Sequence, residues 1–519
     1  MEQANVNRRD FLKTTAAGAA ALSLTAASAR RVYGANERIR VAFLGTGGRC
    51  MSSHIKIINK LKKEGKGVEP VAVCDVWDGD KSAKGDGMPR GLYPAAEACG
   101  LDANNTERVT KDYRKIIDNK DVDVVCVAAP DHWHAKMSID AAEAGKDVYC
   151  EKPMVKTIDE AWKVVDVMKK HNRVMTVGVQ SMADPTWRMA HEQITSGKIG
   201  HVAQGQTSYY RNSDIGQWRY YPLTKSMTPK TVDWPMFLGH KFSVFADTPL
   251  GPSEEQQPFD RAVYGQWRCY WPFGGGMFTD LFVHQTTHMI RAMGVREPRR
   301  VVGAGGLYLE YDGRDVPDVA VVVADYDEGC QLLIQATMIA AYPIEEVIRG
   351  HLGTIKFVQG GFEIIPETPK GSPGIPSRLE KSIKGQFVGT NPPGGRDNAD
   401  TEALWLNFLD CVRARKRTTF STPELGAAAF TTVALGVQSY RHGQALFWDK
   451  EKHQHSPAND SWAEHWEKMS KERDKPKQVK GWHADETGSL LHPRDYMKLA
   501  GPWKNGHDPA NGTASSAEH

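Results

Sequence analysis

Between residues 38 and 180 the chain alternates short, unbroken apolar runs with longer amphipathic stretches. The runs are Ile39–Leu44, Glu69–Cys74, Val122–Ala128, Asp147–Cys150 and Val174–Val179, and Ala135–Ala144 and Ile158–His171 read as helices between them. Apolar runs without a polar face belong to strands covered on both sides. Their alternation with helices predicts a parallel sheet inside an α/β layer. Thr157-Ile158-Asp159-Glu160 has the spacing of a capping box that opens the last of these helices.

After Gln180 the pattern changes. Pro185–Ser196 reads as a helix and His201–Arg211 alternates like a half-buried strand. An irregular stretch rich in Trp, Tyr and Pro runs to Phe273, followed by a helix over Met277–Met293. Five strand-like runs then arrive in series: Arg299–Glu310, Val319–Tyr326, Gln331–Ala336, Glu346–Gly350 and Thr354–Val358. Strands in series predict one open, mainly antiparallel sheet. Helices over Thr401–Arg413 and Pro423–Tyr440 close this part, and the chain from Asp449 to His519 is polar and charged. The expected division is a leader at 1–29, a first α/β domain at 36–182, a second α/β domain at 183–440 and a polar extension at 441–519.

The leader carries its own signal. Arg8-Arg9 precede a short Ala/Thr/Ser-rich run and Ala27-Ser28-Ala29, the pattern of a twin-arginine export peptide with its cleavage site. That route exports proteins already folded, so the twin-arginine machinery is an expected partner of the precursor and the periplasm or exterior its destination. Anything such a protein must bring from the cytoplasm has to be held tightly. The net charge of +3 over 519 residues argues for no nucleic-acid partner. No later run is long and apolar enough to insert the mature chain in a membrane. The eight cysteines are scattered without a Cys-x-x-Cys pair, which speaks against a zinc or iron–sulfur site.

Gly45-Thr46-Gly47-Gly48-Arg49-Cys50 follows the first apolar run and matches part of a dinucleotide-binding turn. Gly45 allows the sharp turn, and Gly47 allows backbone to approach a pyrophosphate at a helix N-terminus. Cys50 replaces the third glycine, a position concerned with helix–strand packing. Asp75 ends the second run, where an acid accepts hydrogen bonds from ribose hydroxyls and favours NAD; it could equally cap a helix. Lys81, Lys84 and Arg90 downstream leave NADP open. Pro130 and His134 fall in a loop expected at the carboxyl edge of the sheet, with His134 either touching the cofactor or packing at a helix start.

Ala129-Pro130-Asp131-His132-Trp133-His134, Ala144-Gly145-Lys146-Asp147-Val148-Tyr149-Cys150-Glu151-Lys152-Pro153 and Gly178-Val179-Gln180 together strongly resemble the Gfo/Idh/MocA oxidoreductases. The resemblance covers about residues 38 to 440. It implies a Rossmann NAD(P)-binding domain, a substrate-binding α/β domain with an open sheet, sugar or polyol substrates and a homo-oligomer. It places Lys152 between nicotinamide and substrate, with Glu151 at the cofactor; Gln180 either contacts the nicotinamide or substrate or caps a strand end. The family's second signature appears as Gly274-Gly275-Gly276-Met277-Phe278-Thr279-Asp280-Leu281-Phe282-Val283-His284. His284 is then the expected general base and Asp280 its orienting or substrate-binding partner, one helical turn away. His288 falls one further turn along; packing in the helix interface is the favoured reading over a metal site.

On the substrate side, Tyr210 and Arg211 end a strand expected near the site, and Trp267 and Arg268 lie in the aromatic stretch. Aromatic faces stack on sugar C–H surfaces, and arginine donates to hydroxyls or carboxylates. The leading expectation is hydride transfer between a secondary alcohol and a tightly bound NAD(P). The alternative is a redox-neutral glycosidase, since the family includes NAD-dependent N-acetylgalactosaminidases. Those typically carry Glu-Val-Pro where this chain has Glu151-Lys152-Pro153. A catalytically silent sugar-binding protein is the third possibility, opposed by the joint presence of Lys152, Asp280 and His284.

Overall fold

The computed structural model describes residues 38–81, 89–213, 215–368, 383–392 and 398–457. The expected leader, Lys84 and the extension beyond residue 457 lie outside the described residues.

The first half forms six strands: β1 (Ile39–Leu44), β2 (Val68–Cys74), β3 (Val109–Thr110), β4 (Val124–Val127), β5 (Asp147–Glu151) and β6 (Met175–Gly178). All neighbours are parallel, in the order β3-β2-β1-β4-β5-β6. The order reverses between β1 and β4, so a crevice opens beyond their carboxyl ends, where doubly wound sheets take ligands. Every residue of β4, β5 and β6 is buried, as unbroken apolar runs require. The capping box forms as expected: the Glu160 amide donates to Thr157 Oγ1, and the Thr157 amide donates to Glu160 Oε2.

The second sheet has eleven strands: β7 (Val202–Asn212), β8 (Arg300–Gly306), β9 (Val319–Tyr326), β10 (Cys330–Thr337), β11 (Ile339–Ala340), β12 (Val347–Gly350), β13 (Gly353–Val358), β14 (Gly361–Pro366), β15 (Gln386–Gly389), β16 (Leu446–Asp449) and β17 (Gln454–Pro457). Its main path runs β15-β14-β13-β12-β7-β10-β9-β8-β16-β17, with β11 paired to β7. Only β7 and β10 pair in parallel. The helices Phe282–Met293 and Pro423–His442 cover one face. They sit close enough that a Cβ at Gly303 would come within 2.1 Å of the Gly436 carbonyl oxygen.

Three features depart from the sequence pattern. The Met277–Met293 helix is interrupted at Leu281 (φ −107°) and splits into Gly276–Asp280 and Phe282–Met293. The helix Ala399–Ala414 returns to the first sheet, where Leu404, Trp405, Phe408 and Leu409 share a core with Ile39, Val41 and Phe43. The start of the polar extension supplies β16 and β17 at the sheet edge. All eight cysteines are buried free thiols, and no described helix is long and apolar enough to cross a membrane.

Candidate active site

The turn after β1 is built by two glycines with different jobs. Gly45 has φ +84°, and a Cβ there would lie 2.6 Å from Ala129 Cα, so the turn lies directly against the end of β4. At Gly47 a Cβ would meet nothing within 4 Å, so the missing side chain leaves open space above the turn. Gly47 and Gly48 lead into a helical segment that opens with a π turn at Cys50–His54 and continues as Ile55–Lys63. Free amides at such an N-terminus suit a pyrophosphate.

This turn borders a cleft of about 1110 Å³, part of it open to solvent. Gly45, Gly47, Gly48, Arg49, Asp75 and Pro130 line it, as the sequence leads one to expect, together with Trp267 and Arg268 from the aromatic stretch. Trp77, Tyr221, Phe237 and Tyr264 also line it and had no signal of their own in the sequence. An open cradle at Gly47, an apolar cleft and an acid at the end of β2 fit a dinucleotide.

Asp75 is more occupied than its position suggests. Its carboxylate accepts from the Thr46 amide at 2.6 Å, from Thr46 Oγ1 at 3.2 Å and from the Trp77 amide at 2.9 Å. Burial pushes its carboxyl up, against the pull of those amides. Asp75 therefore shapes the turn as well as lining the cleft, and Thr46 contributes by tying the turn to β2.

Several expected cofactor contacts do not line the cleft: Thr46, His134, Glu151, Lys152 and Gln180. The His134 ring is buried between two carbonyls, with Nδ1 2.6 Å from Pro153 O and Nε2 2.7 Å from Ala129 O. It clamps the Pro130 loop to the Glu-Lys-Pro segment, which is the packing role. Gln180 opens a single turn of helix over Gln180–Ala183.

Glu151 is the hub of a buried network. The Arg49 guanidinium donates to Oε1 at 2.8 Å, and His54 Nε2 lies 3.0 Å from the same atom. The indole N–H of Trp405 donates to His54 Nδ1 at 3.0 Å. Indole is a donor only, so Nδ1 must be the bare nitrogen and Nε2–H must donate to Glu151. Burial opposes a charge on Glu151, but Arg49 and His54 hold its carboxyl well below the usual carboxylate range. This network positions the backbone on which Lys152 stands. The Arg49 side chain is held by Glu151 and by Thr401 Oγ1.

Lys152 reaches across to the second domain. Its ammonium donates to Asp280 Oδ1 at 2.7 Å and to the Asp280 carbonyl at 2.8 Å. Arg268 Nε donates to the same Oδ1 at 3.1 Å, and the Trp218 indole donates to Oδ2 at 3.0 Å. Burial alone would raise the Asp280 carboxyl, but Lys152 and Arg268 hold it far below the carboxylate range. Trp218 is fully buried with φ +66°, an uncommon backbone for so bulky a residue. Arg268 also stacks on the Trp267 ring at 4.2 Å, so it joins the cleft to the Asp280 cluster.

His284 lies beside this cluster. The break at Leu281 separates it from Asp280, yet the two still interact. Burial and the Lys152 ammonium push the imidazole down to about 3, against the pull of Asp280, so the ring is neutral at ordinary pH. Lys152, Asp280 and His284 thus come together from three segments. Near them, burial lifts the Asp131 carboxyl to about 8 even though Arg268 and Lys152 oppose it.

His288 faces elsewhere. It stacks on Trp187 at 3.8 Å, approaches Ser181 Oγ and lies 2.8 Å from Glu346 Oε1. These contacts make it a packing residue between helix and sheet.

On β7 the alternation of faces decides which tyrosine matters. Tyr209 lies 6.1 Å from the His284 ring, and Arg211 shares its face, donating to Tyr209 OH at 2.6 Å. Tyr210, expected at the substrate, falls on the opposite face by the same period. Both residues were visible in the sequence, but the strand's parity relative to the helix was not.

Comparison with known proteins follows the same division. Residues 39–179 match the model of an oxidoreductase family with an NAD-binding Rossmann fold, and residues 253–356 match the GFO/IDH/MocA C-terminal domain. Residues 5–25 match the signal sequence of the twin-arginine translocation pathway, which marks the chain for export. Over 252 residues the chain is 29% identical to a glycosyl hydrolase family 109 protein of Shewanella pealeana, covering 42% of this chain and 51% of that protein. It is 38% identical over 120 residues to levoglucosan dehydrogenase of Pseudarthrobacter phenanthrenivorans, covering 22% of this chain and 30% of that protein. The chain thus spans about half the length, or less, of these curated relatives. Two solved structures share the fold. One is the WlbA dehydrogenase of Bordetella pertussis with NADH and UDP-GlcNAcA, with TM-score 0.54, 16% identity, and 80% and 99% of the two chains covered. The other is levoglucosan dehydrogenase with NADH and levoglucosan, with TM-score 0.53, 18% identity, and 82% and 100% covered. With both of its domains matched, this chain belongs to the Gfo/Idh/MocA oxidoreductases.

Proposed function

We propose that the protein is an exported oxidoreductase that transfers a hydride between a secondary alcohol of a sugar or polyol and a tightly held NAD(P). The observation that carries this reading is the Lys152–Asp280 pair beside a neutral His284, joined through Arg268 to a cleft bordered by the dinucleotide turn. The sugar dehydrogenases that share its fold, both described with NADH, point the same way.

When bound, the nicotinamide supplies the hydride acceptor. Gly47, Gly48 and the amides at the start of the following helix would hold the pyrophosphate of the dinucleotide. The residues of this chain do the rest. His284 has a free lone pair and takes the hydroxyl proton of the substrate. Lys152, fixed by Asp280, donates to the reacting oxygen and stabilises the negative charge that develops there. Arg268 and Trp218 keep the Asp280 carboxylate in one orientation. Arg90 and Lys111 also line the cleft, cationic side chains of the kind that accommodate a 2′-phosphate.

A second reading comes from the relatives named glycosyl hydrolase family 109 and alpha-N-acetylgalactosaminidase. In that reading the hydride returns to the sugar after loss of the glycosidic substituent. Lys152 in the Glu-Lys-Pro motif favours the dehydrogenase.

The test begins by denaturing purified exported protein and identifying the released dinucleotide by mass spectrometry. A panel of sugars, polyols and glycosides is then followed by nicotinamide absorbance and by sugar release in the same incubations. Reduced cofactor without glycoside cleavage supports the proposal, and cleavage without net reduction replaces it by the hydrolase. Absence of any dinucleotide, after reconstitution as well, refutes both.

A further inference from the structure

We propose that the substrate of this site carries a carboxylate, as in a hexuronic acid, and that Arg211 binds it. The inference rests on the sugar-oxidoreductase reading and narrows its substrate class.

The first observation is a charge without a counterpart. Arg219 donates to Asp312 at 3.0 Å, Arg314 pairs with Asp312 and Glu310, and Lys152 and Arg268 share Asp280. Among the described residues Arg211 has no carboxylate partner. Its protein acceptors are two phenols, Tyr209 OH at 2.6 Å and Tyr220 OH at 3.5 Å. A guanidinium has five N–H groups, so most of its donors find no acceptor among the described residues.

The second observation is where that guanidinium stands. Its carbon lies 4.9 Å from the centroid of the Tyr209 ring, and the same ring lies 6.1 Å from that of His284. Arg211 and the expected base therefore flank one aromatic side chain. A sugar stacked near Tyr209 with a hydroxyl at His284 would turn another substituent toward Arg211. The third observation is the balance of the cluster: among the described residues Lys152, Arg211, Arg268 and Arg49 face two ionised carboxylates, Asp280 and Glu151. Asp131 adds little negative charge because its proton is retained into neutral pH.

A neutral sugar would leave this excess positive charge partly desolvated. A carboxylate removes the excess and matches the planar fork of the guanidinium with two parallel hydrogen bonds. The phenol of Tyr209 accepts from one edge of the fork and so orients the rest of it.

The experiment is calorimetric titration of the protein with its dinucleotide bound, using D-glucuronate against D-glucose and D-galacturonate against D-galactose. Each uronate is expected to bind about tenfold or more tightly than its neutral parent, as charge-assisted hydrogen bonds imply. Added salt should shrink the difference. Arg211→Gln should bring the ratio close to one, and Arg211→Lys should retain part of it. Equal affinities in wild type, a ratio unchanged in Arg211→Gln, tighter binding of glucose 6-phosphate, or no binding of either sugar would overturn the proposal. If Arg211→Gln does not fold, the wild-type ratio and its salt dependence decide. Binding is read without turnover, so the two readings fail separately. Uronate preference without hydride transfer refutes only the oxidoreductase, and polyol oxidation without uronate preference refutes only the carboxylate site.

Discussion

The pair Lys152–Asp280 joins the two domains, and its strength sets how firmly the site is assembled. At 2.7 Å and an effective dielectric of about 20, the gross Coulomb attraction is about 6 kcal/mol. Desolvation of both partners offsets much of this, since the side chains are only 12% and 8% exposed. The net coupling expected in a double-mutant cycle of Lys152→Met and Asp280→Asn is then about 2–3 kcal/mol. Asp280→Asn alone should cost more, about 3–5 kcal/mol, because Lys152 and Arg268 both lose the carboxylate they pair with in a buried setting. The double mutant should recover part of that loss. Urea unfolding of all four proteins at pH 7, read by tryptophan fluorescence, measures the cycle. A coupling below about 0.5 kcal/mol would show that the pair is not held as described, and the account of a fixed Lys152 would fall with it.

The two glycines of the dinucleotide turn should separate folding from binding. Gly45→Ala meets the Ala129 backbone at 2.6 Å with φ +84° and should lower the melting temperature markedly, whereas Gly47→Ala, with open space around it, should leave melting unchanged while weakening NAD(P) binding about tenfold or more; equal melting temperatures would contradict this. His284→Ala should lower kcat/KM by about 10²–10⁴-fold. Because the imidazole is held down to about 3, the wild-type acidic limb of kcat/KM should lie well below pH 6.5, and a limb near 6.5 would exclude His284 as the base. Asp131 keeps its proton in the folded state up to about 8 but not in the unfolded state. Its contribution to stability is full below about pH 4 and is lost as pH rises through about 8. Asp131→Asn should therefore gain melting temperature relative to wild type between pH 5 and pH 9, and a constant difference would refute the burial argument.

What was legible in the chain was local. The β1 strand, its glycine turn, the capping box at Thr157 and the Glu151-Lys152-Pro153 segment are each written within about ten residues, because dihedral freedom, capping and strand burial act over that range. The long strand series likewise foretold a mainly antiparallel sheet. The site is less local. Asp75 looked like a ribose acceptor at the cleft, and the structure gives it a second task the sequence did not show, accepting from Thr46 and Trp77 to hold the turn. For His134 the sequence left cofactor contact and packing at a helix start both open, and two carbonyls enclose the ring in the packing role.

The amino-acid order by itself determined the two sheets, the turn and the residue types that carry the chemistry. Folding in three dimensions decided which of them meet. Tyr209 rather than Tyr210 faces His284 because strand parity is anchored only when β7 lies against the Phe282–Met293 helix. The Trp405–His54–Glu151 chain joins residues hundreds of positions apart, and such hydrogen bonds leave no periodic trace in sequence. Charges add across space and not along the chain, which is why a guanidinium at Arg211 without a carboxylate partner among the described residues is recognised only in three dimensions.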